Sequence, residues 1–177
     1  TGLGIEIEDR EYTTYDLLLD DVNLNSVIMP TVTPGLLIVP ATVDLSSADI
    51  ELISNEKRSF LLHDALRQTP MDDFNLDFIL IDCPPSLNLL TVNAMIAAHS
   101  VLVPLQSEFF ALEGLSQLLQ TVERVQQNLN PGLGIIGVAL TMFDRRNRLT
   151  DQVADDVREC LGNLVFEDYK RNKRKYL

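Results

Sequence analysis

The stretch Phe78-Ile79-Leu80-Ile81-Asp82-Cys83-Pro84-Pro85-Ser86-Leu87 decides how the chain reads. Four apolar residues in a row, with no polar alternation, predict a strand covered on both faces. Two prolines forbid its continuation. The acid stands directly at the predicted carboxyl end of the strand, where open α/β sheets bind their ligands. On strand pattern alone, a helix N-cap or turn aspartate and a magnesium-holding Walker B aspartate fit Asp82 equally well. The rigid turn that Pro84-Pro85-Ser86 predicts favours the second.

Outward from this stretch, apolar and helical patterns alternate. Residues 36–39, 101–105 and 135–142 predict further strands. Thr13 or Thr14 caps a predicted helix over 15–20, and Ser46 or Ser47 one through 53. Helices are also expected over 59–68 and over 87–98, the latter apolar nearly all round. Leu112, Leu115, Leu119, Val122, Val125 and Leu129 form a helical stripe that Asn130-Pro131-Gly132 ends. Thr150 begins a last helix that Gly162 ends, and Val165-Phe166 starts another strand. The fold class expected is α/β, a mostly parallel sheet with helices on both faces, in one domain.

The 177 residues carry 14 Lys and Arg against 26 Asp and Glu, a net charge of −12. Such a chain is no general polyanion binder, so any nucleic-acid contact needs a local basic patch. At 46% hydrophobic, the sequence has ample material for a core, which excludes whole-chain disorder. Two cysteines, Cys83 and Cys160, cannot build a disulfide framework or a protein-only zinc site. No apolar run approaches the ~20 residues of a membrane span, and no secretory leader is visible. These features give the expectation of a soluble, cytoplasmic protein. Residues 169–177 hold five of the basic residues and no acid.

Two further segments follow predicted strands. In Gln106–Gly114, Glu108 and Glu113 read best as ordinary acids of a helix start. In Met142-Phe143-Asp144-Arg145-Arg146-Asn147-Arg148, three arginines fall within four residues. Composition alone makes this a solvated loop; DNA phosphate contact is the alternative. His63, His99 and Cys83 have no placed catalytic partner, and Cys83 reads as inert. A P-loop needs glycines followed by Gly-Lys-Ser/Thr. The four lysines are Lys57, Lys170, Lys173 and Lys175, and none follows a glycine.

The 78–87 stretch, with Leu90-Thr91-Val92-Asn93-Ala94 after it, resembles the Walker B region of the ParA/Soj chromosome-partitioning ATPases. Val103-Pro104-Leu105-Gln106-Ser107-Glu108-Phe109-Phe110-Ala111-Leu112-Glu113-Gly114-Leu115 is similar to the same family. So are Leu37-Ile38-Val39-Pro40-Ala41-Thr42-Val43-Asp44-Leu45 and Gly137-Val138-Ala139-Leu140-Thr141-Met142-Phe143-Asp144. The resemblance runs from Thr1 to about Glu167. It implies a P-loop, MinD/ParA-like fold that is incomplete here: residues 1–167 as a partial ATPase domain and 168–177 as a divergent basic tail. Thr1-Gly2-Leu3-Gly4-Ile5 matches the family just after its Walker A unit, so the expected catalytic residues lie upstream of Thr1.

By resemblance, the parent type binds ATP and Mg²⁺, forms a nucleotide-sandwich homodimer and binds DNA non-specifically at the nucleoid. A ParB-type centromere-binding partner then releases it. Asp82 matches the acid that steadies Mg²⁺, generally through water. Pro84, Met142 and Asp144 fall at nucleotide-binding positions. Arg146 matches a DNA-contacting arginine flanked by Arg145 and Arg148, which moves this loop from solvated to DNA-binding. The chain alone is expected not to hydrolyse ATP. A MinD-like division-site ATPase is the alternative, but its amphipathic membrane helix has no counterpart in the short polar tail. A non-catalytic DNA- or partner-binding module is the other.

Overall fold

The structure, a computed structural model, describes residues 3–20, 22–68, 71–84, 86–107, 111–142 and 148–167. The chain divides into two compact units, Thr1–Ala98 and His99–Leu177.

In the first unit, helix α1 (Thr14–Leu19) is capped by Thr13, one of the two threonines that the sequence offers. Thr13 Oγ1 accepts from the Tyr15 amide, and Asp16 Oδ2 accepts from the Thr13 amide at 2.6 Å. This reciprocal box satisfies donors that a helix start leaves unpaired. Asn23 caps the short helix α2 (Leu24–Val27). Strands β1 (Met29–Pro30) and β2 (Leu37–Ile38) form a two-residue antiparallel ladder. Helix α3 (Ala48–Glu51) stands between 3-10 turns at Val43–Ser47 and Leu52–Ser54. Helices α4 (Leu61–Gln68) and α5 (Leu89–Ala97) complete the unit, with a 3-10 turn at Met71–Phe74 between them. Leu17, Leu24 and Val27 form a core with Val22, Ile28, Val39, Leu62, Ala65 and Leu66 around it.

Two strand expectations need correction. Residues 78–81 form no strand among the described residues, and Phe78 and Leu80 are 85% and 91% exposed. A strand needs a neighbour to take its amide and carbonyl groups, and no described residue of this chain pairs with the segment. Apolarity records a demand for burial; it does not supply the partner. Likewise, the 36–39 run keeps only two ladder residues, and Leu36 is exposed.

The second unit is a β-α-β crossover extended by one more helix. Strand β3 (Ser100–Gln106) runs parallel to β4 (Gly134–Thr141), joined through helix α6 (Ala111–Asn128). Val103 faces Val138 and Gln106 faces Thr141, with a register shift after Val101. Helix α7 (Arg148–Leu161) and a 3-10 turn at Gly162–Leu164 follow. Val165 then bridges to Val138 in parallel, the start of the strand expected there. One core joins Val103 and Val138 to Ala111 and Leu115 of α6 and to Val153 and Val157 of α7. Each of these valines, and Leu115, contributes roughly 1.5–3 kcal/mol when fully buried. Parallel strands joined by a helix make the class α/β, as expected.

Candidate functional site

Asp82, Cys83 and Pro84 lie exposed at the end of the extended apolar run. The Asp82 carboxylate therefore stands free of the hydrophobic interior. Cys83 Sγ donates to the Ile81 carbonyl at 3.7 Å. Crowding around the sulfur raises the thiol pKa, and the Asp82 charge beside it adds to the rise. That direction disfavours the thiolate, the reactive form of the group, although Cys83 is exposed and not the buried strand-tip cysteine that the sequence suggests.

Helix α5 starts a few residues later, and a polar network fixes its first turn. Asn88 is the N-cap, and its Oδ1 accepts from the Thr91 amide at 3.2 Å. The Thr91 hydroxyl, buried at 5% exposure, donates to the Ser86 carbonyl at 2.6 Å. Asn88 Nδ2 donates to Asp49 Oδ2 of α3 at 2.5 Å. Sequence reasoning gave Asn88, Thr91 and Asp49 no individual role in the site. The spacing of Asn88 from Thr91 carries a cap signal; the 39-residue separation of Asp49 from Asn88 carries none.

In the second unit, Met142 follows the carboxyl end of β4. It is 80% exposed and adopts φ +55°, a left-handed conformation rare outside glycine. The Ser107 side chain, just past the end of β3, is buried, and its hydroxyl has no partner among the described residues. Asp144, Arg145 and Arg146 lie outside the described residues. Arg148 opens α7.

Among the described residues, no group of three or more His, Cys, Asp and Glu side chains could hold a metal ion. Asp82 offers one exposed carboxylate, which suits a magnesium ion that keeps most of its waters. The sequence supplies no Gly-Lys-Ser/Thr loop for phosphates, so the residues present fit the water-mediated metal contact and not the phosphate cradle. No helix among the described residues is long and apolar enough to cross a membrane.

Comparison with known proteins places this arrangement. The AAA_31 family model, described as an AAA domain, matches residues 1–135. The chromosome partitioning protein ParA of Caulobacter vibrioides is 52% identical over 167 residues, which is 94% of this chain and 62% of that protein. The sporulation initiation inhibitor protein Soj of Bacillus subtilis is 46% identical, over 94% of this chain and 65% of its own length. The cobyrinic acid a,c-diamide synthase of Mycobacterium smegmatis, solved with bound ADP and magnesium, superposes with a TM-score of 0.79. It is 36% identical over 89% of this chain and 63% of that one. The chain thus spans less than two thirds of the length of each. On the family match, the chain belongs to the AAA_31 family of AAA domains, and within it resembles the ParA/Soj chromosome-partitioning proteins.

Proposed function

We propose that this chain carries the Walker B portion of a ParA-type DNA-segregation ATPase. In that reading, the whole protein binds ATP and magnesium, dimerises, and holds nucleoid DNA without sequence preference until a ParB-type partner releases it. The observation that supports this best is the 52% identity, kept over 94% of the chain, to a chromosome partitioning protein. The exposed carboxylate of Asp82 after an apolar run is consistent with it.

Each residue then has a defined task. Asp82 accepts hydrogen bonds from magnesium-bound water. Pro84 limits the backbone freedom of the segment that follows the acid. Met142 and Asp144 border the nucleotide base. Arg145, Arg146 and Arg148 meet DNA phosphates as fixed positive charges in an otherwise acidic protein. Bound magnesium would neutralise charge on the phosphates.

The 177 residues by themselves do not hydrolyse ATP, because no Gly-Lys-Ser/Thr loop supplies backbone donors and a lysine for the γ-phosphate. Residues 1–167 act as part of one ATPase domain, and 168–177 as an added basic tail. Phosphate release from Mg²⁺–ATP should match a mock preparation; release above it contradicts the inactivity. DNA binding is measured by filter retention, with and without ATP, on a longer protein that carries this chain together with a Gly-Lys-Ser/Thr loop. Binding that needs ATP favours the segregation ATPase, and equal retention in both arms favours a nucleotide-independent module.

A further inference from the structure

A chain of hydrogen bonds within the first unit runs from helix α3 to the residues that follow Asp82. Asp49 Oδ2 accepts from Asn88 Nδ2, Asn88 Oδ1 accepts from the Thr91 amide, and the Thr91 hydroxyl donates to the Ser86 carbonyl at 2.6 Å. Ser86 is four residues from Asp82, and two of the three residues between them are prolines. Proline removes one backbone torsion each time, so an anchor on Ser86 limits the movement of Asp82 more than it would through a flexible linker. The Asp82–Pro84 segment itself is exposed and has no ladder partner among the described residues, so it gets little restraint from packing.

The far end of the chain of bonds is also distinctive. Asp49 Oδ1 is buried without a hydrogen-bond partner among the described residues. Burying an acceptor unpaired costs about 1–3 kcal/mol. An apolar residue of the same size would avoid that cost. Aspartate is therefore poorly explained by packing at this position, and better explained by the acceptor it offers to Asn88.

We propose that Asp49, Asn88 and Thr91 are positioning residues that hold the Asp82 segment in place through the Ser86 carbonyl. The role rests on the reading of Asp82 as the acid that steadies magnesium. None of the three touches nucleotide or metal in this scheme. They act by restricting the loop, and Asp49 does so from a different helix.

The test reads the backbone of the segment directly, by the amide ¹⁵N order parameters of Asp82 and Cys83 in the full 177-residue chain, with the Leu17 and Val27 amides of the same unit's core as the internal control. Asp49→Leu removes the acceptor at similar size, and Asp49→Asn keeps one. The Asp82 and Cys83 order parameters are expected to fall to the flexible range, below about 0.6, in Asp49→Leu and to stay at the wild-type value in Asp49→Asn. The Leu17 and Val27 amides are unchanged in both. Unchanged order parameters at Asp82 and Cys83 in Asp49→Leu overturn the proposal, as does an equal fall in Asp49→Asn.

If the Leu17 and Val27 amides loosen too, the fold of this unit has loosened, and Thr91→Val against Thr91→Ser decides by the same criterion. Only the valine variant should loosen Asp82 and Cys83. The assay contains no nucleotide, metal or DNA, so its outcome is separate from that of the functional reading. Manganese broadening of the Asp82 amide resonance tests the latter. A loosened Asp82 in Asp49→Leu without manganese broadening in the wild type keeps the tether and removes the magnesium role.

Discussion

The side chain of Asn93, 1% exposed inside α5, donates to the backbone carbonyl of Arg58 at 2.7 Å. Its Oδ1 accepts from the Leu62 amide, one of the first-turn donors that α4 cannot satisfy internally. The same Nδ2 also reaches the Leu89 carbonyl. One buried amide thus fixes where α4 begins relative to α5. Asn93→Leu keeps the volume and strands these backbone groups. It should cost about 2–3 kcal/mol in urea unfolding, with faster hydrogen exchange at the Leu62 amide. Unchanged exchange at Leu62 would show that the bond does not hold the helix start.

Gly137 has a packing reason to be glycine. A Cβ there would stand 2.7 Å from the Leu164 carbonyl oxygen and about 3.0 Å from the Phe166 ring. The Phe166 amide donates to the Val138 carbonyl at 2.9 Å, so this crowding falls where the chain returns beside β4. Gly137→Ala is expected to push the return segment outward and destabilise by about 1–3 kcal/mol. Loss of exchange protection at the Phe166 amide is the direct readout.

Gly114 is the opposite case. It lies inside α6, and among the described residues nothing stands within 4 Å of where its Cβ would go. Gly114→Ala removes backbone freedom from the unfolded chain and should stabilise by about 0.5–1 kcal/mol. A thermal midpoint that rises by roughly 1–4 °C meets this expectation, and a fall refutes it.

Tyr15 and Glu51 give a pH prediction. The Tyr15 hydroxyl donates to Glu51 Oε2 at 2.7 Å, and Ser47 donates to the other oxygen at 2.9 Å. The hydrogen bond to Glu51 is the main reason the Tyr15 pKa rises to about 12, with desolvation and the charges of Glu51, Asp20 and Asp44 adding to it. Glu51 is pulled below its ordinary 4.5 by the bond from Tyr15, then that from Ser47. A raised tyrosine pKa stabilises the fold below pH 10, and the contribution fades from there to about pH 12. The depressed Glu51 pKa stabilises above pH 4.5 and is lost as pH falls below it. A phenolate titration at 295 nm should show a late component from Tyr15, near pH 12. It should vanish in Tyr15→Phe and move toward pH 10 in Glu51→Gln.

The proposed DNA contact carries its own signature. Arg146→Ala, made in a protein that binds DNA, should weaken binding equally for unrelated sequences. The slope of log K against log salt should fall by about 0.9 for one lost phosphate contact. An unchanged slope removes Arg146 from the interface.

Local signals located much of this molecule. The stripe from Leu112 to Leu129 predicts α6, and the runs at 101–105 and 135–142 predict β3 and β4 to within a residue or two. The pair Thr13-Thr14 marks the start of α1 to within a residue, and the bond to Asp16, three residues on, selects Thr13. Asp82 stands out because an acid follows four apolar residues. These features depend on near neighbours, so the sequence displays them directly.

Pairing between distant residues is another matter. The sequence alone established an α/β chain with an acid at the end of an apolar run. Tertiary structure decided that the 78–81 run stays exposed, because ladder partners are chosen by the whole sheet and no described residue here takes its amides and carbonyls. It also decided that Asn93, inside a helix that reads as apolar nearly all round, meets Arg58 across 35 residues, and that Asp49 meets Asn88 across 39. A polar side chain in an apolar helix has to find a partner, but only the folded packing determines which one.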